Sequence, residues 1–269
     1  MGQQILGRKQ KISNDAWLEA MKQIEDLVPK SELDARVGQT VKDIMATTNG
    51  KKAAVAWSGG KDSLVLADVC RQAGIEDSVL VVSNLEYSAF TEWVDRNKPP
   101  KLEIINTGQD IEWLVKHPQM LFPQDSNTAA QWFHIVQHRG QAKYYKAHEL
   151  DMILLGRRRA DGNYVGKGSK HQVFPIYDWT NNDVWLYLLN EHVDIPEIYL
   201  FLWQAGTRKG QLRVSQFFSV DTARSLVKMN EYYPDLMERV TRREPNAYLA
   251  ALYWDSEMFG RREVNAKGG

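Results

Sequence analysis

Ser58, Gly59, Gly60, Lys61, Asp62 and Ser63 form one unbroken run, and the run suits one task, holding an anion. Glycines let the backbone come close to a phosphate. Lys61 brings a full positive charge, and Ser58 and Ser63 bring hydroxyl donors. A short apolar stretch, residues 53–57, precedes the run and is long enough for a buried strand. Leu64, Val65, Leu66 and Val69 follow at helical spacing. A strand, a glycine loop and a helix start make an anion cradle, because the first helical turn has unpaired N–H groups and the positive end of the dipole. The spacing is not that of a Walker A loop, which sets four residues between its first glycine and its Gly-Lys pair. The plainer alternative is a serine–glycine turn that happens to precede a helix.

The elements that must position this loop can be read along the chain. Asn14 or Asp15 could cap a helix carrying Trp17, Met21, Ile24 and Leu27. Ser31 opens a Ser-x-x-Asp capping pattern ahead of Val37, Val41, Ile44 and Met45. The helix after the loop should end near Gly74. Residues 79–83, 102–106 and 152–155 read as further strands, and 88–97 and 128–149 as helices. A short last strand is expected at 174–176, and Thr180 to Asp183 should open an amphipathic helix. This alternation predicts an α/β fold, a doubly wound, mostly parallel sheet with flanking helices. The division expected is a helical segment over 1–50, a nucleotide-binding domain over 51–200 and a mainly helical extension over 201–269. Residues 156–171 are basic and glycine-rich without period, and read as a mobile loop.

Composition narrows the classes. The chain has 269 residues, 43% hydrophobic and 25% charged, which is ordinary for a globular protein. The formal net charge is zero, so bulk charge does not argue for nucleic acid. No apolar run approaches the roughly 20 residues that span a bilayer, and the first eleven residues hold no signal-peptide core. The single cysteine, Cys70, excludes an intramolecular disulfide, a cysteine zinc site and a four-cysteine iron–sulfur cluster within one chain. It is expected to be a small buried hydrophobe. A cytoplasmic location follows. His134 and His138, four apart, would share a helix face, as a weak metal site or as packing or a substrate contact. Residues 162–171, with Tyr164 among basic neighbours, read as a nucleic-acid contact or, preferably, a positively charged substrate lid.

The loop resembles the SGGKDS signature of the PP-loop ATP pyrophosphatases, the adenine nucleotide alpha hydrolases. Three further segments resemble the branch containing the phosphoadenylyl-sulfate (PAPS) reductases and the small subunit of ATP sulfurylase. They are Ser83-Asn84-Leu85-Glu86 with the helix start after it, Gly156-Arg157-Arg158-Arg159, and Pro175-Ile176-Tyr177-Asp178-Trp179-Thr180-Asn181-Asn182-Asp183-Val184-Trp185. Ile195-Pro196 and Tyr199 continue the pattern, so the likeness runs from about residue 50 to 200.

This resemblance implies a site. Ser58, Gly59, Gly60, Lys61, Asp62 and Ser63 would hold the phosphates of ATP or a PAPS-like nucleotide. Asn84 would meet the adenosine. Gly156 would belong to the nucleotide site, with Lys61, Arg157 and Arg158 as the catalytic cations. A guanidinium donates two parallel hydrogen bonds and suits phosphate or sulfate. Asp62 could assist Mg²⁺ or simply cap the helix, and Asp178 could cap the helix it precedes. The implied reaction breaks the α–β bond of ATP–Mg²⁺ to adenylylate an acceptor, with release of pyrophosphate. The acceptor stays open among sulfate, a nucleobase, a flavin nucleotide and a protein-bound group.

The departures also inform. PAPS reductases carry a catalytic cysteine near the C-terminus, and residues 254–263 have none. Thiol chemistry needs a thiolate, so reduction would require a partner's thiol. A third alternative is a silent nucleotide-binding subunit of a complex or a homo-oligomer. Trp203, Phe217, Phe218, Tyr232, Tyr233, Tyr248, Tyr253 and Trp254 would then form its docking surface, or else a cap over the active site.

Overall fold

The structure is a computed structural model, and it describes residues 23–86, 88–120, 126–161, 166 and 168–196, with 226–227, 230, 234–243, 245, 247–248 and 252 beyond them. Among the expectations, the helix over Trp17 and Met21, the stretch around Tyr164 and most of the extension lie outside these residues. Of its aromatic residues only Tyr248 is described, half exposed.

In chain order the elements are α1 (Ile24–Leu27), α2 (Lys30–Thr48), β1 (Ala53–Ala56), α3 (Lys61–Gln72), β2 (Ser78–Val82), α4 (Ser88–Asn97), β3 (Leu102–Asn106), α5 (Ile111–Lys116), α6 (Ser126–Phe133), α7 (Arg139–Ala147), β4 (Met152–Leu155), β5 (Gln172–Val173), α8 (Asn181–Asn190) and α9 (Pro234–Arg243). The sheet order is β3-β2-β1-β4-β5. β1 runs parallel to β2 and β4, with Ala53 opposite Met152, and β4 runs parallel to β5. β2 and β3 climb together, since Ser78 N donates to Lys101 O and Thr107 N to Val82 O. The predicted α/β class with a parallel sheet is therefore the observed one.

The chain divides into two compact units, which do not follow it in order. One comprises Met1–Val81, Asn97–Ile105 and Arg139–Ile195, the other Val82–Arg96, Asn106–His138 and Pro196–Gly269. The first unit has a dry centre. β1 and β4 bury almost every side chain, and α3 turns Val65, Leu66, Val69 and Cys70 inward, all fully buried. Each such aliphatic residue contributes about 1.5–3 kcal/mol by leaving water. α8 packs on α3 and α2. Three polar ties fix the packing: Tyr187 Oη donates to Asp68 Oδ2 (2.5 Å), Gln72 Nε2 to Tyr187 Oη (2.9 Å), and Trp179 Nε1 to Thr40 Oγ1 (3.0 Å). Burial pushes the Cys70 thiol pKa up.

Several elements depart from expectation, each for a local reason. Pro29 is the N-cap of α2, and its carbonyl takes the N–H groups of Glu32 and Leu33, so Ser31 lies inside the helix and caps nothing. Proline's fixed φ is already helical and its missing N–H costs nothing at a helix start. The last strand is Gln172–Val173 rather than 174–176, because Pro175 cannot donate to a ladder and Tyr177 N instead turns back to Phe174 O (3.1 Å). The helix expected over 128–149 is broken by a π-helical turn at His134–His138, where ring centroids of His134 and His138 lie 5.6 Å apart, edge to face. α5 went unforeseen; Asp110 caps it by accepting from Trp113 N (2.7 Å).

Candidate functional site

The sheet order reverses direction between β1 and β4. From β1 the chain passes to β2 and β3 on one side, then returns to β4 and β5 on the other. Loops at the C-terminal ends of such a strand pair border a crevice, the usual ligand position in open α/β sheets. Here these loops are residues 58–63 after β1 and 156–161 after β4, both in the first unit.

The 58–63 loop is tightly self-bonded. Gly59 holds φ at +69°, a left-handed backbone that other residues resist. Ser63 Oγ accepts from Ser58 N (3.0 Å) and donates to Gly60 O (2.9 Å), and the two serine hydroxyls lie 3.1 Å apart. Gly60 is the N-cap of α3, and Lys61 is its first residue, so the loop delivers its lysine at the positive end of the helix.

Gly156 explains why the two loops can meet. A Cβ there would lie 3.1 Å from the backbone C and O of Asp62 and 3.3 Å from Ser63 N. The glycine predicted as part of a ligand site thus serves first as a close-packing point between β4 and the start of α3.

The charges around Lys61 are shared rather than stacked. Lys61 Nζ sits 2.6 Å from Asp62 Oδ2, and Asp62 Oδ1 sits 2.9 Å from Arg158 Nε. Arg158 Nη2 donates to Asn181 Oδ1 (2.8 Å) and reaches Asp161 Oδ1 (3.3 Å). The Lys61 pKa is lowered, mainly by burial, with Arg158 pushing the same way and Asp62 opposing. These contacts bear on the roles expected of Arg158 and Asp62. Arg158 is fully buried, and its guanidinium braces Asp62. Asp62 does not cap α3. Nor does it fit a magnesium ligand, because both its oxygens already face cations. Among the described residues no group of three or more His, Cys, Asp or Glu could hold a metal.

Arg157 differs from its neighbour. It is half-buried, with its guanidinium carbon 5.3 Å from the Phe174 ring centroid. Arg159 is exposed, lies over Tyr177 and pairs with Asp178 (2.8 Å). Asp178 is therefore not the helix cap. Thr180 is the cap: its hydroxyl accepts from Asp183 N (3.1 Å), while Asp183 Oδ2 accepts from Thr180 N (2.6 Å) and pairs with Arg36. The stretch expected to be a featureless loop also holds structure, a 3₁₀ turn at Arg159–Asp161 tied by Arg159 N to Tyr177 O (2.8 Å).

Asn84 belongs to the second unit. Its Oδ1 accepts from Asn106 Nδ2 (2.5 Å) and its N–H donates to Gln109 O (2.8 Å), which stitches the loop after β2 to the loop after β3. The first unit by itself joins Ser58–Ser63, Gly156 and Arg158. It also recruits Asp161 and Asn181, which had not been singled out. The sequence signal for Asp161 is its i+3 spacing from Arg158, and that for Asn181 is its place in the Pro175–Trp185 segment.

Comparison with known proteins gives four results. A family model described as the phosphoadenosine phosphosulfate reductase domain matches residues 52–205. The Escherichia coli (strain K12) protein YbdN is 21% identical over 266 residues, 78% of this chain and 66% of that one. Sulfate adenylyltransferase subunit 2 of Methylobacterium sp. (strain 4-46) is 33% identical over 88 residues, covering 33% of this chain and 24% of the relative. The chain therefore spans less than two thirds of either relative. A crystal structure of phosphoadenylyl-sulfate reductase from Candida auris, a phosphate complex, has a TM-score of 0.46 at 17% identity, covering 70% of this chain and 91% of that one.

Proposed function

The chain belongs to the phosphoadenosine phosphosulfate reductase domain family, and from that premise we propose that it binds an adenine nucleotide and cleaves ATP between its α- and β-phosphates to adenylylate an acceptor. One observation carries the reading. Lys61 occupies the first position of α3, directly after Gly59 and Gly60, at the C-terminal end of the central strand. Phosphate oxygens would accept from the first-turn N–H groups and from Lys61. An ammonium already stripped of much of its water gains more from an arriving anion than a hydrated one does. The acceptor oxygen attacks the α-phosphorus, the bond to the bridging oxygen breaks, and pyrophosphate leaves carrying that bond's electrons. Lys61 and Arg157 stabilise the charge gathering on the leaving group. Arg158 acts behind them by holding Asp62.

Sulfonucleotide reduction is less supported, because the chain's one cysteine is buried and its thiolate disfavoured. The word "subunit" in the name of the sulfate adenylyltransferase relatives favours action with a partner chain. The test is incubation with α-labelled ATP, with and without sulfate. Labelled AMP or an adenylylated product should form, and Lys61→Ala should abolish it. Identical behaviour of wild type and Lys61→Ala would overturn the reading.

A further inference from the structure

We infer that Asn181, in the first turn of α8, is a positioning residue for Lys61, acting through Arg158 and Asp62. The geometry is a chain of four side chains drawn from three distant segments. Lys61 Nζ meets Asp62 Oδ2 at 2.6 Å, Asp62 Oδ1 meets Arg158 Nε at 2.9 Å, and Arg158 Nη2 donates to Asn181 Oδ1 at 2.8 Å. Arg158 is fully buried and Asn181 is 1% exposed, so neither is placed to touch a ligand. A buried guanidinium must keep its partners, because each lost contact leaves charge stranded away from water. Arg158 Nε and Nη1 make no hydrogen bond, so Nε faces Asp62 as an ion pair alone, and the Nη2 contact with Asp161 is a long 3.3 Å. The Asn181 oxygen is therefore the closest neutral anchor that fixes the rotation of the guanidinium plane. Once that plane turns, Nε leaves Asp62, and the carboxylate that aims Lys61 loses its contact with Arg158. The Thr180–Asp183 capping box pins the backbone that carries Asn181. The start of α8 thus belongs to the loop's machinery without reaching it.

The consequence for nucleotide rests on the function proposed above, while the geometric part stands apart from it, and the experiment separates the two. Asn181→Ala removes the acceptor, and Asn181→Ser draws the accepting oxygen one atom back toward the backbone. Asn181→Asp keeps it, and Asn182→Ala removes a neighbouring buried amide that has no bond to Arg158. Amide hydrogen exchange over residues 58–63 is measured on each full-length variant without ligand, alongside melting temperature and calorimetric titration with ATP. Asn181→Ala and Asn181→Ser should exchange faster in the loop by about tenfold, the equivalent of one hydrogen bond to a charged group. Asn181→Asp and Asn182→Ala should match wild type there. Weaker ATP binding should accompany the loosened loop. Loop exchange in Asn181→Ala and Asn181→Ser no faster than in Asn182→Ala would overturn the inference, whatever the melting temperatures. Wild type that binds no ATP, together with a loop that loosens as expected, would support the relay and overturn the proposed function.

Discussion

Replacing Gly156 by alanine adds one methyl group at a close-packed point of the candidate site. Its Cβ would stand 3.1 Å from the Asp62 carbonyl carbon and oxygen, where ordinary contact begins near 3.4 Å. Those atoms are backbone within the first turn of α3 and cannot rotate aside. Either β4 or the helix start must move by a few tenths of an ångström. Overpacking of this kind costs about 1–3 kcal/mol. For a chain of this size each kcal/mol is worth roughly 2–4 °C in melting temperature, so the expected loss is about 2–12 °C. Gly38→Ala is the matched contrast. Gly38 is exposed within α2 with nothing near its absent Cβ, and alanine there should stabilise by about 0.5–1 kcal/mol. Urea and thermal unfolding followed by circular dichroism measure both. A Gly156→Ala protein as stable as wild type would refute the claim that this glycine exists for close approach. If the loop moves with the helix, Gly156→Ala should also weaken ATP binding by calorimetry.

Other outcomes follow from the same contacts. The folded state lowers the Lys61 pKa, so its ammonium penalises folding at pH values below the folded pKa, and the penalty fades as pH rises toward 10.5. Lys61→Met should therefore unfold at higher urea than wild type at neutral pH, with a difference that shrinks in alkaline buffer, and should lose ATP binding. Thr180→Ala removes half of the capping box and should cost about 1 kcal/mol in urea unfolding, whereas Asp183→Ala should cost more because it also strands Arg36. Cys70 should resist alkylation at pH 8 in the native protein and react within minutes in denaturant, as read by mass spectrometry; equal rates would contradict its burial.

What the sequence disclosed was whatever depended on neighbours along the chain. β3, β4 and α4 emerged with their observed bounds because apolar runs and proline breaks are local signals. Thr180 and Asp183 were legible as a helix start for the same reason. The fate of Arg158 was not. A run of three arginines after a strand reads as a charged loop, and nothing in it tells which guanidinium turns inward. That is settled by Asp62 and Asn181, which lie 96 positions before it and 23 after it. The π turn at His134–His138 was hidden likewise, since an i, i+4 spacing looks the same whether the helix is regular or locally widened.

The pairing of Ala53 with Met152 has a further consequence, in time rather than space. The two residues stand 99 positions apart, and β1 and β4 are central neighbours in the sheet. At about 5–20 residues per second, synthesis of the intervening chain takes roughly 5–20 s. Through that interval β1 has β2 available as a partner but not β4, with an apolar strand edge open to other chains. Pairings so distant in sequence also slow folding, because the loop must close before the contact is made. The 58–63 loop after β1 is synthesised early yet acquires Arg158 and Asn181 only near the end of the first unit. The contacts that join the two loops can therefore form only after Arg158 and Asn181 have been synthesised.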